Sequence, residues 1–492
     1  MASKLRKPIL VGGVGISFTL WLWSSLQHSL MQVGELSVLG TIALGTGVWF
    51  FQRKAAKALP SAQVPSPLDL ETVEKAIADA EAMVTQLEAE TDGSDVAEWK
   101  QQLAQLPDAL NRQQIQVAIT GGKNVGKTSL KQVLDESEIT SQNTLVETEP
   151  LFTGSDAEVT TEKAAQEVAF ASDLVLFVTG GDLTDSEFQT LQQLSASHQR
   201  LLLIFNQQDH YLPEERAMIL QQLRQRSQQV IAVEDVVAIS ASPAPVKVRR
   251  HSEDGSMQEW MEQPQPEITA LRDRTSQILS AERQQLVWAT TWRTAVGLKT
   301  KAKTQLNEIR QTRALPVIEQ YQWIAAAAAF ANPVAILDLL STAAINGQMV
   351  VELGEIYQQK FSWQQAQTAA GTLGKLMAQL GLVELSTQMI GGILKSNAFT
   401  YVAGGVVEGV SAAYLTRVAG LSLIEYFQEQ DISTTSEEPL HFHKLKQKLQ
   451  NVFQRNQRTA FLQGFVEQTA GRLSREYPQS QSISSQMQMP TN

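Results

Sequence analysis

No charged side chain interrupts residues 8–34, and after the single acid Glu35 a second uncharged run spans residues 36–52. The first run contains Ile9, Leu10, Val11, Phe18, Leu20, Trp21, Leu22 and Trp23. In helical form it is long enough to cross the hydrocarbon core of a bilayer. The second is shorter and ends on Trp49, Phe50 and Phe51. Aromatics suit the headgroup interface there, and local thinning or snorkelling covers the deficit in length. Lys4, Arg6 and Lys7 precede the pair, and Arg53, Lys54 and Lys57 follow it. Cations at both outer ends and none in the turn predict a transmembrane hairpin over residues 1–57 with both ends cytoplasmic. The competing reading is a cleaved signal peptide followed by a core helix. No small-residue cleavage site supports it, and a second apolar run follows at once.

Residues 58–69 are rich in Pro, Ser and Ala and form a predicted linker. Between residues 70 and 114, Val73, Ile77, Ala80, Val84 and Leu87 recur at three- and four-residue steps, and the pattern breaks near Asp92-Gly93. This periodicity predicts a helical pair packing on the domain that follows, with a coiled-coil contact to a partner as the alternative. From residue 115 the pattern changes. Short β-prone runs at 115–119, 174–178, 201–205 and 236–240 alternate with helical stretches at 185–195, 213–228 and 266–280. The alternation predicts an α/β domain over residues 115–282, with a parallel sheet covered by helices on both faces. Residues 246–266 are expected to form an irregular, solvated connector, basic at Lys247, Arg249 and Arg250 and acidic at Glu253 and Asp254. A lipid-headgroup contact by those cations is the other reading.

Helices dominate from residue 281. The stretches 363–382, 384–394 and 402–424 are rich in small residues, which permit close helix approach. An all-α domain over residues 283–430 is expected, followed by C-terminal helices over 431–477 and a polar, disordered tail over 478–492. Asp338 interrupts a more apolar helical run that starts at Trp323 and continues through residue 347, and Glu408 interrupts the 402–424 stretch. Because an acid in mid-bilayer is costly, these helices are expected to form a bundle lying on the membrane; insertion of residues 323–351 is the alternative.

The chain has 492 residues, of which 43% are hydrophobic and 18% charged, enough for about three packed units. Lys and Arg number 40 against 51 Asp and Glu, a net charge of −11, so general nucleic-acid binding is not expected. There is no cysteine, which excludes disulfides, thiolate metal sites and cysteine nucleophiles. The histidines are scattered. His441 and His443 flank Phe442 with no further ligand nearby, and surface positions are expected for both.

Candidate chemistry begins after the first strand, with Gly121-Gly122-Lys123-Asn124-Val125-Gly126-Lys127-Thr128. The spacing fits a phosphate-binding loop. Gly121 and Gly126 permit backbone angles that aim successive N–H groups at an anion, and the following helix adds its positive end. Lys127 would meet the outer phosphates, Thr128 would offer a hydroxyl to Mg2+, and Ser129 belongs to the same set. Asn206-Gln207-Gln208-Asp209 follows the 201–205 strand, and Ser240-Ala241-Ser242 ends the last one.

With these motifs in this order, residues 115–282 resemble the Era-like small GTPases of the P-loop class. The resemblance implies GTP or GDP as ligand. Asp209 would accept from the guanine N1–H and exocyclic amine. Asn206 would tie the base loop to the phosphate loop, Ser240 would support the base-side turn, and the N–H of Ala241 would face the guanine oxygen. It also implies Mg2+ on Thr128 and Glu147. Asn124 matches the asparagine of potassium-assisted relatives, which makes K+ a candidate. Three departures stand out. Gln207 replaces the usual lysine. The third motif, Asp-x-x-Gly in the family, becomes Glu147-Thr148-Glu149-Pro150, and proline has no N–H to sense a γ-phosphate. Glu147 follows Thr128 closely, leaving little room for a first switch and its antiparallel strand, and no glutamine stands ready to position water. Phosphoryl transfer rests on positioning and charge, so slow or absent turnover without a partner is expected, and no catalytic residue is assigned.

Residues 283–430 resemble the bacterial family called domain of unknown function 697, through Asn332-Pro333 to Asp338 and the glycine-rich 404–420 stretch. With the N-terminal hairpin, the resemblances point to an integral protein of a bacterial membrane, a cyanobacterial one among the candidates, with its GTPase domain cytoplasmic. Nucleotide state would control a helical domain that contacts membrane or partner. The alternative is a hydrolytically inactive GTPase-fold scaffold or remodelling protein. An adenine-specific ATPase is disfavoured by Asp209. The expected partners are the lipid bilayer and a further protein, and a homo-oligomer is allowed.

Overall fold

The computed structural model describes residues 68–91, 94–136, 143–152, 159–251, 257–331, 339–396, 405–429, 441–457 and 459–476. The expected hairpin at 1–57, nearly all of the linker, the tail and Asp338 lie outside the described residues. The chain divides into two units, one holding residues 114–283 and the other residues 68–113 together with those from 284 onward. The first two helices, α1 (Leu70–Glu90) and α2 (Ser94–Ala109), belong to the second unit.

In the first unit, β1 (Ile115–Gly121), β2 (Asn143–Glu147), β3 (Leu174–Thr179), β4 (Arg200–Phe205) and β5 (Val236–Ala238) form one sheet in the order β2-β1-β3-β4-β5. Every pairing is parallel. Every residue of β3 is buried, as is all of β4 after Arg200. Uninterrupted apolar runs such as these suit a sheet covered on both faces. The unit's helices are α3 (Lys127–Asp135), α4 (Val159–Ala171), α5 (Asp185–Ala196), α6 (Pro213–Ser227) and α7 (Thr269–Ala281). Val175, Phe177, Leu203 and Phe205 share one core cluster with Leu191 and Leu194 of α5 and Leu223 of α6. A Thr184–Glu187 capping box starts α5, and Pro213 opens α6.

The sheet order reverses beside β1, because the chain steps outward to β2 and then returns to β3 on the other side. That reversal opens a crevice at the carboxyl ends of the strands, where ligands bind in sheets of this kind. Among the described residues no strand of the sheet runs antiparallel.

The expected irregular connector is instead a ribbon. β6 (Val246–His251) and β7 (Met257–Glu262) pair antiparallel, with Arg249 opposite Glu259 and Val248 opposite Trp260. The Glu259 carboxylate meets Lys247 at 2.5 Å and Arg249 at 2.8 Å. The charges that suggested a solvated loop along the chain are complementary across the strands.

In the second unit, α8 (Arg283–Ala331) contributes Ala295, Leu298, Ala302 and Leu306 to a core with Val73, Ala80, Val84 and Leu87 of α1 and Val96 and Leu103 of α2. The helical pair was expected to pack on the domain after it. It lies instead along α8, whose apolar stripe repeats at the same three- and four-residue steps. The far half of α8 joins α9 (Leu339–Ile356), α10 (Trp363–Gln379), α11 (Leu382–Ser396), α12 (Val406–Glu429), α13 (Phe442–Asn456) and α14 (Thr459–Glu476) around Ile318, Tyr414, Phe427, Phe453 and Leu473. Gly420 of α12 lets α8 come close, since a Cβ there would lie 2.6 Å from Ile318 Cγ1. Among the described residues no helix is long and apolar enough to cross a membrane.

Candidate functional site

β1 ends on Gly121 at φ +149°, a conformation side chains rarely adopt, and a Cβ there would stand 2.2 Å from the Val178 carbonyl oxygen of β3. Gly126, at φ +84°, precedes α3, and a Cβ there would stand 2.3 Å from Asn206 Nδ2. Asn124 between them is also left-handed, at φ 62°, which asparagine tolerates. Left-handed residues at such positions let successive loop N–H groups converge on an anion. α3 starts without a side-chain cap, which leaves its first-turn donors facing the loop.

Lys127 opens α3 and is only 6% exposed. Its ammonium donates to the carbonyls of Gly121 at 3.1 Å and Gly122 at 2.7 Å. Burial lowers its pKa, against the opposing pull of Glu147 and Glu149. A buried cation held by neutral carbonyls, two glycines that exclude any Cβ and an uncapped helix start fit a phosphate group. Ser129 is half-buried in the same helical turn.

The segments after β4 and β5 are joined to this loop through Asn206, which is 2% exposed. Its Nδ2 donates to the Val125 carbonyl at 2.9 Å, and its Oδ1 accepts from Ala241 N–H at 3.0 Å. One carboxamide thereby links the segments after β1, β4 and β5. Gln207, left-handed at φ 61°, adds a second strap, its Nε2 donating to the Asn124 carbonyl at 3.0 Å. Asp209 accepts from the Ser240 hydroxyl at 2.6 Å and from Ala244 N–H at 2.9 Å. Burial pushes its pKa up, but these hydrogen bonds outweigh it and hold the carboxyl below its ordinary value. A carboxylate with two donors still has free lone pairs for a ligand.

One expectation needs correcting. The Ala241 N–H, expected to face a base oxygen, is taken by Asn206 Oδ1. The buried carboxamide needs a donor for its oxygen, and this amide is the one within reach. Two contributors were missed in the sequence. Gln207 was read as a lost lysine and not as a strap. Ala244 acts through its main chain, so its side chain carries no signal.

Thr128 donates its hydroxyl to Glu147 Oε1 at 2.7 Å. The register of β1 with β2 places Glu147 beside Ile119, near the end of β1. A hydroxyl and a carboxylate next to this glycine-rich loop suit a hard divalent cation such as Mg2+. Among the described residues no group of three or more acidic or histidine side chains offers a metal site. Past β2, Thr148 N–H donates to the Ile119 carbonyl and Leu151 N–H to that of Gly121, with Pro150 lying between them. For potassium, the segment 137–142 that would complete a site lies outside the described residues, and the Asn124 carbonyl is taken by Gln207.

Residues 293–458 match the family described as "Domain of unknown function (DUF697)". No curated protein matches the chain. Among solved structures, the LeoA bacterial dynamin GTPase from ETEC is 13% identical with a TM-score of 0.27, over 82% of this chain and 98% of that one. An oligomerised bacterial dynamin pair, described as providing a mechanism for the long-range sensing and tethering of membranes, is 11% identical with a TM-score of 0.23, over 82% and 79%.

Proposed function

We propose that the sheet unit binds a guanine nucleotide, GTP or GDP with Mg2+, in a membrane-anchored protein. Its nucleotide state would control how the helical unit meets membrane or partner. The observation that carries this reading is the Asn206 carboxamide, bonded at once to Val125 of the phosphate loop and to Ala241 of the base-side turn. That link holds the two motifs to each other, as a single nucleotide site would require. Around it, Lys127 would exchange its carbonyl partners for phosphate oxygens, while the loop and the start of α3 supply N–H donors. Asp209, held ionised by Ser240 and Ala244, would accept from a base that presents two adjacent donors, which guanine has and adenine lacks. Thr128 and Glu147 would hold Mg2+, which neutralises phosphate charge when bound.

Turnover is expected to be slow or to require a partner. Pro150 offers no N–H beside the phosphates, and no glutamine follows it closely to position water. The same observation favours a second reading, in which the fold binds nucleotide without hydrolysing it and the protein acts as a membrane scaffold.

Calorimetry of the full chain in detergent with GTP, GDP and ATP tests the binding. GTP and GDP should bind and ATP should not, and Lys127→Ala should abolish binding. Asp209→Asn should shift preference toward xanthine nucleotides. A Lys127→Ala chain that binds as before, or an Asp209→Asn chain with unaltered selectivity, rejects the assignment. Phosphate release from the same samples, with and without liposomes, separates the two readings.

A further inference from the structure

The β6–β7 ribbon exposes much apolar side chain for its size. Val246, Met257, Trp260 and Met261 are 52%, 54%, 42% and 61% exposed, and every residue of β7 is exposed. Among the described residues neither outer edge of the ribbon pairs with a third strand. A lone two-stranded hairpin is marginal in water, and an open edge is a template for another strand.

The two edges differ in charge. β6 carries Lys247, Arg249 and Arg250, whereas β7 carries Glu259 and Glu262. Pairing β6 with β6, or β7 with β7, brings like charges together across the strands, which is destabilising. Pairing β6 with the β7 of another copy brings opposite charges together. It also repeats outward the register that already sets Arg249 against Glu259 within the ribbon.

We propose that this ribbon is a self-association surface, in which the outer edge of β6 in one copy pairs antiparallel with the outer edge of β7 in a second copy. Such a contact is heterologous, so copies add head to tail into a ring or an open filament and do not stop at a two-fold dimer. The exposed apolar side chains would then gain neighbours on both faces of a continued sheet. An anionic bilayer is a poorer occupant. With Glu253 and Asp254 between β6 and β7 in sequence, the segment holds four acids against three cations, so lipid headgroups gain little net attraction.

The absence of cysteine allows a direct test, since any introduced thiol is unique. His251→Cys and Met257→Cys fall on a cross-strand pair and leave the ribbon's Lys, Arg and Glu residues in place. The two full-length single-thiol chains are oxidised in detergent micelles, separately and mixed. Because paired strands bring Cα atoms within disulfide reach, the mixture should yield about tenfold more cross-linked dimer than either chain alone. No cross-link in the mixture, or equal cross-linking in the separate samples, overturns the proposal. Reversing the charge of β6 with Lys247→Glu, Arg249→Glu and Arg250→Glu should abolish association. Adding Glu259→Lys and Glu262→Lys should restore it, because the ribbon's internal pairs and the contact between copies return together. A charge-swapped chain that stays monomeric contradicts the proposal. A fluorophore on the thiol of the Met257→Cys chain should shift with protein concentration. A shift that follows added anionic lipid alone assigns the surface to lipid instead.

Discussion

Gly121 combines a left-handed backbone with a carbonyl 2.2 Å from any added Cβ. Gly121→Ala must either strain the loop or push β1 away from β3. A loss of about 2–4 kcal/mol is expected, read as a lower urea midpoint at unchanged slope. An unaltered midpoint would show that the loop tolerates a side chain. At Asp209 the folded pKa lies below its ordinary value of 3.8. Its stabilisation is therefore full above the unfolded pKa and is lost as pH falls through the lower folded value. The stability difference between the native chain and Asp209→Asn should be present at about pH 6 and shrink below about pH 4. A difference that stays constant on acidification would mean the Ser240 and Ala244 bonds do not favour the ionised form. Gly121, Lys127 and Asp209 were legible as residue types at set spacings. The partners of Asp209 were not, because one of them is a main-chain amide.

Among elements, the hydrophobic stripe of α1 was visible in the sequence, but its partner was not. Three- and four-residue spacing identifies a face without saying what covers it. The structure covers it with α8 and seals the end with Glu90, which accepts from Arg310 at 2.6 Å and from Arg313 at 3.1 Å. The Arg310 and Glu90 side chains are 4% and 10% exposed. Glu90→Ala should cost about 3 kcal/mol by leaving a buried guanidinium without its carboxylate. Proteolysis should then begin in the α1–α2 segment. Replacing both partners, Glu90→Leu with Arg310→Met, should recover most of the loss. If the single change has no effect on thermal unfolding, the ion pair does not hold the two helices together. The β6–β7 ribbon was missed for a related reason. Its complementarity lies across the strands, while along the chain its charges come in blocks.

For the whole molecule, the anchoring reading starts from the two uncharged runs within residues 1–57. A chain lacking those residues should move from the membrane pellet to the supernatant and keep its nucleotide affinity. Sedimentation after a high-salt wash measures this. A truncated chain that stays in the pellet would place membrane attachment in the helical unit instead.

By itself the sequence determined what depends on neighbours a few residues apart. The apolar runs of β3 and β4, the glycines that tolerate unusual backbone angles, the helical stripes and the uncharged N-terminal segments are all properties of local spacing and side-chain type. Only the tertiary structure decided which of these meet. Asn206 bonds to Val125 across 81 residues and to Ala241 across 35, and Thr128 at the start of α3 reaches Glu147 at the end of β2. The physical reason is that a hydrogen bond or a buried ion pair depends on distance in space, and pattern along a chain carries no record of which distant segment folding brings within three ångströms.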